Sequence, residues 1–187
     1  MTFYHTIAET PNSTVVAEYM PTDRHSQESQ SEEELEQECL LVLQSNGYEY
    51  LPLRNNEDLI NNLRRQLSRL NNIVFSEAEW NQLLNNYLAR KNDPIEEKTK
   101  KIQEDPSYNL YRDDGTTKNI HIIDKENIHN NHLQVINQYE ALGMRQNRYD
   151  ISVLVNGLPL LHMEIKRRGV EIREAFNQIN RYHVNIG

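Results

Sequence analysis

At 187 residues with 37% hydrophobic content and a mean hydropathy of −0.82, the chain has room for one domain with a modest core under a polar surface. No apolar run approaches a membrane span, the single Cys39 excludes an internal disulfide, and no Cys/His cluster has zinc spacing. A net charge of −8 argues against a tight autonomous binder of nucleic acid.

Residues 1–30 mix Thr, Pro, Ser, Gln and Glu without a sustained period and read as a mobile arm ahead of a domain over 31–187. The opening MTFYHTIAET has no basic region followed by an apolar stretch, so no secretory signal is read. With the lone cysteine, this fits a reducing compartment, and a cytoplasmic location is expected. Ser31 with Glu34 forms a capping box that starts a helix. Leu35, Cys39, Val42 and Leu43 are its apolar stripe, and Gly47 stops it. Leu59, Leu63, Leu67 and Leu70 mark a second helix. Ser76 and Glu79 cap a third, whose stripe of Trp80, Leu83, Leu84, Tyr87 and Leu88 reads as core rather than a stacking platform. Residues 91–118 are charged and punctuated by Asp93-Pro94, Asp105-Pro106 and Asp113-Asp114-Gly115, so they read as loop with room for one short strand. Asn119 to Asp124 and Leu133 to Asn137 read as strands. A helix is expected from about Glu171 to His183. There is no Gly-rich phosphate loop and no internal repeat.

The chemistry lies between those last elements. Apolar runs from Ile151 to Val155 and from Leu158 to Ile165 flank Asn156-Gly157, a strong hairpin signal. The hairpin brings Asp150, Glu164 and Lys166 to one end. Parity sets its register. Ile151, Val153 and Val155 share one face, as do Leu161, Met163 and Ile165, which leaves the three charges together on the other. A plain two-residue turn would set Asp150 opposite Met163. A three-residue loop, or a bulge with Gly157 at positive φ, sets it opposite Glu164, and that register is expected. Two carboxylates so close repel unless a cation lies between them, and Mg²⁺ prefers carboxylate and phosphate oxygens. The arrangement suits a metal-dependent phosphodiesterase. An isolated pattern of this kind is more often a surface salt-bridge cluster.

Further residues in order reverse that preference. Arg148-Tyr149-Asp150 is followed by Asn156-Gly157-Leu158-Pro159-Leu160, then Glu164-Ile165-Lys166, then Gln178-Ile179-Asn180-Arg181-Tyr182. This series resembles the nuclease domain at the N-terminus of the motor subunit of type I restriction enzymes, a branch of the PD-(D/E)xK nucleases. Ser31-Glu32 to Gly47-Tyr48 and the Leu63 to Trp80 stretch also fit it, so the likeness runs from about Ser31 onward. Tyr149 departs from the pattern, which has Pro before the Asp. Length departs further: the family continues into a helicase-like ATP-driven motor, whereas Gly187 comes five residues after Tyr182. A fragment truncated near the end of its nuclease domain is expected.

The resemblance implies an α/β (α+β) fold, a restriction-endonuclease-like central mixed β-sheet flanked by helices. It implies Mg²⁺ held by Asp150, Glu164 and the Ile165 backbone carbonyl, with Lys166 orienting the attacking hydroxide or offsetting phosphate charge. Gln178 and Tyr182 share a helix face and are carried over as residues beside the catalytic centre. Related nucleases place a first-helix Glu beside the metal, which makes Glu36, or Glu32 on the same face, a candidate against the plainer reading of a solvated acidic face. Arg167, Arg168, Arg173 and Arg181 are expected phosphate contacts, with solvated surface as the alternative. His162, on the catalytic face, reads as a bystander. The implied partners are double-stranded DNA and the methyltransferase and specificity subunits, with ATP used only in motor domains absent here.

Charge distribution is compatible with this reading. Acid concentrates at Glu28, Glu32, Glu33, Glu34, Glu36 and Glu38, while Arg145, Arg148, Lys166, Arg167, Arg168, Arg173 and Arg181 make 145–182 locally positive. A weakly basic site on an acidic body suits a module delivered to DNA by a larger assembly. Two other readings stand beside it: a standalone structure-selective nuclease such as a junction resolvase, and a non-catalytic docking module for the restriction complex. Gln-x-x-x-Tyr and the short end argue against the first, and the intact Asp, Glu and Lys argue against the second.

Overall fold

The structure, a computed structural model, describes residues 4–9, 15–19, 30–53, 55–141, 147–167, 170 and 173–177. Within the stretch that carries no sequence period, β1 (Tyr4–Glu9) and β2 (Val15–Tyr19) pair as an antiparallel hairpin. Next comes α1 (Glu32–Ser45), with the expected capping box: the Ser31 hydroxyl accepts from the Glu34 N–H, and the Glu34 carboxylate accepts from the Ser31 N–H at 2.8 Å. Gly47, at φ +90°, turns the chain away. The buried stripe of α1 differs from the expected one. Glu36 and Leu40 are its buried residues, Leu35, Cys39 and Leu43 are half-buried, and Val42 is exposed.

β3 (Glu49–Tyr50) leads to α2 (Asn56–Leu70), whose N-cap is Asn55, and then to α3 (Glu77–Leu83), which has the Ser76–Glu79 capping box. The third helix continues as a π-helical turn over Leu84–Leu88. Residues 91–118 hold more structure than the expected loop. They form α4 (Ile95–Glu104), then β4 (Ser107–Tyr111), whose antiparallel partner β5 is Thr117–His121. The charges that hid α4 suit its dipole, with Glu96 and Glu97 in the first turn and Lys101 in the last. Pro94 lies at the N-cap, where a missing N–H costs nothing.

β6 (Leu133–Ala141), β7 (Asn147–Val155) and β8 (Leu158–Met163) complete the main sheet, of order β3-β6-β7-β8. β3 runs parallel to β6 and the other neighbours are antiparallel, so the sheet is mixed, as expected. Helices and the β4–β5 hairpin surround it. Leu40 of α1 packs with Val135 and Ile151 on one face; Ile136 and Leu154 pack with Leu51, Leu53 and Leu59 on the other. The larger apolar cluster joins Leu63, Leu67, Trp80 and Leu83 to Leu110, Ile120 and Ile122, so the Trp80 stripe is core.

Register at the last hairpin decides where the charges go. Val155 pairs with Leu158, so Asn156-Gly157 is the plain two-residue turn, with φ +50° and +82° as a type I′ turn requires. The compensating residue lies farther along. Leu154 pairs with Pro159 but Val153 pairs with Leu161, which leaves Leu160 as a β-bulge. Beyond it Ile151 faces Met163, and the register sets Asp150 opposite Glu164. The expected pairing therefore arises from a bulge in the strand and not from a longer loop. Pro159 explains the position, because it has no N–H for the ladder and β8 is an edge strand.

Candidate active site

The turn end of the hairpin is anchored from several sides. Asn156 is buried, its N–H donates to the His132 carbonyl, and its side-chain oxygen accepts from the His132 N–H, both at 2.8 Å. Its Nδ2 donates to the Ile122 carbonyl at 3.0 Å and to Asn131 Oδ1 at 2.8 Å. Gly157 lies against the backbone of α2 at Leu63. Asn-Gly thus does more than turn the chain: it ties β7 and β8 to the start of β6, to the segment after β5, and to α2.

At the opposite end the three expected charges meet. The Ile165 N–H donates to Asp150 Oδ2 at 2.8 Å, which holds the carboxylate against the segment that follows β8. Lys166 Nζ donates to Glu164 Oε1 at 2.8 Å and lies 3.6 Å from Glu32 Oε2. The second oxygen of Glu32 accepts from the Arg167 N–H at 3.3 Å. The first turn of α1 therefore reaches the site through Glu32. The Glu164 side chain is 3% exposed. Burial pushes its carboxyl above the usual glutamate range; the Lys166 hydrogen bond opposes the shift and the Asp150 charge adds to it. For Lys166, burial disfavours the ammonium, but the hydrogen bond and charge of Glu164, with Glu32 and Asp150, outweigh it and raise its pKa.

Glu36 has different neighbours. It is buried and accepts from Asn137 Nδ2 at 2.8 Å and from Gln138 Nε2. On the face of Asp150, Ser152 Oγ is 2.7 Å from His162 Nδ1. Asn137, Gln138 and Ser152 were not legible as site residues, because polar side chains within a strand pattern carry no signal of their own. Arg167 is exposed, as is Arg173, on a helical segment at 173–177. Gln178, Tyr182, Arg168 and Arg181 lie outside the described residues.

Among the described residues no three His, Cys, Asp or Glu side chains converge into a ready-made metal cage. The pair Asp150 and Glu164 nevertheless suits a hard cation. Its donors are all oxygen, and a buried carboxylate beside a second one leaves negative charge that one ammonium shares with Glu32. The residues present therefore fit Mg²⁺ at these two carboxylates.

Residues 29–186 match the family described as Type I restriction enzyme R protein N terminus. The chain is 45% identical to the endonuclease subunit of the type I restriction enzyme EcoprrI from Escherichia coli, over 94% of this chain and 56% of that protein. It is 35% identical to a type I restriction enzyme endonuclease subunit of Staphylococcus saprophyticus and 36% to one of Staphylococcus aureus strain MW2. Each of those alignments covers 82% of this chain and 16% of the relative. The chain thus spans about half the length of the E. coli protein and a sixth of the staphylococcal ones. With a family match over most of its length, this chain belongs to the N-terminal region family of type I restriction enzyme R proteins.

Proposed function

We propose that this region is the DNA-cutting site of a type I restriction endonuclease subunit, hydrolysing phosphodiester bonds with Mg²⁺. The observation that carries it is the convergence of Asp150 of β7 with Glu164 and Lys166 just past the end of β8, with Lys166 Nζ 2.8 Å from Glu164. Hydrolysis forms a bond from a water oxygen to phosphorus and breaks one backbone P–O bond. Mg²⁺ bound there would acidify the water and neutralise charge on the phosphorus oxygens. Asp150 is oriented for this by the Ile165 N–H. The Lys166 hydrogen bond opposes the upward shift that burial gives the Glu164 carboxyl. Lys166 is placed to offset phosphate charge or to orient the incoming water. Glu32 fixes Lys166 and the backbone after it from the helix side. Gln178, Tyr182 and the arginines Arg167, Arg168, Arg173 and Arg181 complete the proposed DNA face. Double-stranded DNA, methyltransferase and specificity subunits are the proposed partners, with ATP consumed elsewhere in the assembly.

The test is cleavage by the complete endonuclease subunit in its assembled enzyme. Asp150→Ala and Glu164→Ala should each abolish DNA cutting and leave ATP hydrolysis and translocation intact. Cutting at the unsubstituted rate in both variants would refute the assignment.

A further inference from the structure

Asn137 and Gln138 are consecutive in β6, and a regular strand sends neighbouring side chains to opposite faces. Both nonetheless donate to one carboxylate, Asn137 to Glu36 Oε1 and Gln138 to Glu36 Oε2. The chain achieves this by placing Gln138 at φ +53°, in the left-handed region that a residue with a Cβ avoids. The arrangement has a second cost. The remaining side-chain oxygen of Gln138 is buried and has no hydrogen-bond partner among the described residues.

The position of this irregularity is informative. Asn137 pairs with Ile151 and Tyr139 with Tyr149, so Gln138 falls opposite Asp150, and that one pair is missing from the ladder. An extended residue at 138 would put its side chain on the face of Asp150, with Cβ atoms about 5 Å apart. In the left-handed conformation the Gln138 side chain goes instead to α1, which packs on the other face through Leu40, Val135 and Ile151. Glu36 is only 6% exposed and forms no ion pair among the described residues, so its visible partners are these two amides.

We infer that Glu36 latches the Gln138 side chain away from Asp150 and so keeps the space over that carboxylate clear, which makes Glu36 a positioning residue for the cutting site. The inference rests on the nuclease reading above, and it gives Glu36 a role other than metal ligand. Released from Glu36, Gln138 relaxes to the extended conformation and its side chain moves over Asp150. Removing that side chain makes the latch unnecessary.

Cleavage kinetics of the complete subunit in its assembled enzyme test this. Glu36→Ala should lower kcat about ten- to a hundredfold with little change in KM for DNA, the scale of loss for a displaced catalytic group. Gln138→Gly should cut within about twofold of the unsubstituted enzyme, because glycine takes the left-handed conformation freely. The double variant Glu36→Ala with Gln138→Gly should recover the rate of Gln138→Gly alone. A double variant no faster than Glu36→Ala would overturn the latch and return Glu36 to a direct role. Gln138→Val, whose β-branch disfavours the left-handed region, should lose cutting as Glu36→Ala does; full activity in it would also overturn the latch. Thermal melts report folding, and if Glu36→Ala fails to fold, the Gly and Val variants at 138 decide alone. Asp150→Ala is the control: full cutting there refutes the nuclease reading, whereas a dead Asp150→Ala beside an unrescued double variant refutes only the latch.

Discussion

Gly157 and Leu63 meet backbone to backbone: a Cβ on Gly157 would lie 2.6 Å from Leu63 Cα and 2.9 Å from Leu63 N. Gly157 also sits at φ +82°. Two separate constraints thus hold glycine at this turn. Gly157→Ala should destabilise the fold by at least about 2 kcal/mol, through the strained backbone and the forced retreat of α2. Urea denaturation reads the loss directly. An unchanged midpoint would show that α2 does not pack here. The turn lies at the far end of β7 and β8 from the three charges, so the variant should lose stability before it loses site chemistry.

A second stability prediction concerns Glu79, which is 2% exposed. Its Oε1 accepts from Arg112 Nε at 2.6 Å and the Asp113 N–H at 3.2 Å, and its Oε2 from the Ser76 N–H at 3.0 Å. Burial raises its pKa, but these hydrogen bonds and the Arg112 charge outweigh burial and lower it below 4.5. A carboxylate with a depressed folded pKa stabilises above its unfolded pKa, and that stability is lost as pH falls through the folded value. Glu79→Gln should therefore cost about 2 kcal/mol at neutral pH. Below the ordinary glutamate value of 4.5 the gap between variant and unsubstituted protein should narrow. Urea denaturation across this range checks both parts, and a gap independent of pH would rule out an ionised Glu79 as the cause.

The site was legible in the sequence where period and chemistry coincide. Asp150, Glu164 and Lys166 stand out because one strand-turn-strand pattern fixes their parity, and the structure brings them together. The bulge at Leu160 was legible only as an arithmetical need: parity requires one extra residue, and Pro159 determines where it goes. α4 was hidden because its surface charges mask a short apolar stripe of half-buried Ile102 beside exposed Ile95. The contact of Glu36 with Gln138 was illegible, because a left-handed glutamine in a strand depends on a partner in α1 about a hundred residues away. Local propensity carries no trace of such a contact.

Lys166 should be the most sensitive single position for chemistry. It donates to Glu164 and faces Glu32, so two carboxylates hold its ammonium. In the complete subunit Lys166→Ala should reduce DNA cutting by about a hundredfold or more, the scale for losing one preorganised electrostatic group. Lys166→Arg should recover little, because a planar fork does not reproduce a compact ammonium between two oxygens. ATP hydrolysis by the same preparations should be unchanged, which separates loss of cutting from loss of folding. Full cutting by Lys166→Ala would remove lysine from the proposed chemistry.

This region by itself should cut linear DNA weakly or not at all, even with Mg²⁺. Its net charge is −8, and affinity for a polyanion comes mainly from cations that displace counterions from phosphates. Near the site, the charge of Lys166 is already partly offset by Glu164 and Glu32, which weakens what it adds to DNA affinity. Arg167 and Arg173 are exposed among the described residues, and even the four arginines of the proposed DNA face would give a shallow salt dependence and little affinity at physiological ionic strength. Delivery of DNA by the rest of an assembled enzyme would supply what this surface lacks. Plasmid incubated with micromolar protein and Mg²⁺, followed on a gel, gives the answer. Intact plasmid is the expected outcome. Rapid metal-dependent linearisation that Lys166→Ala removes would show an autonomous nuclease, and would favour a standalone, structure-selective enzyme over a module that waits for a motor.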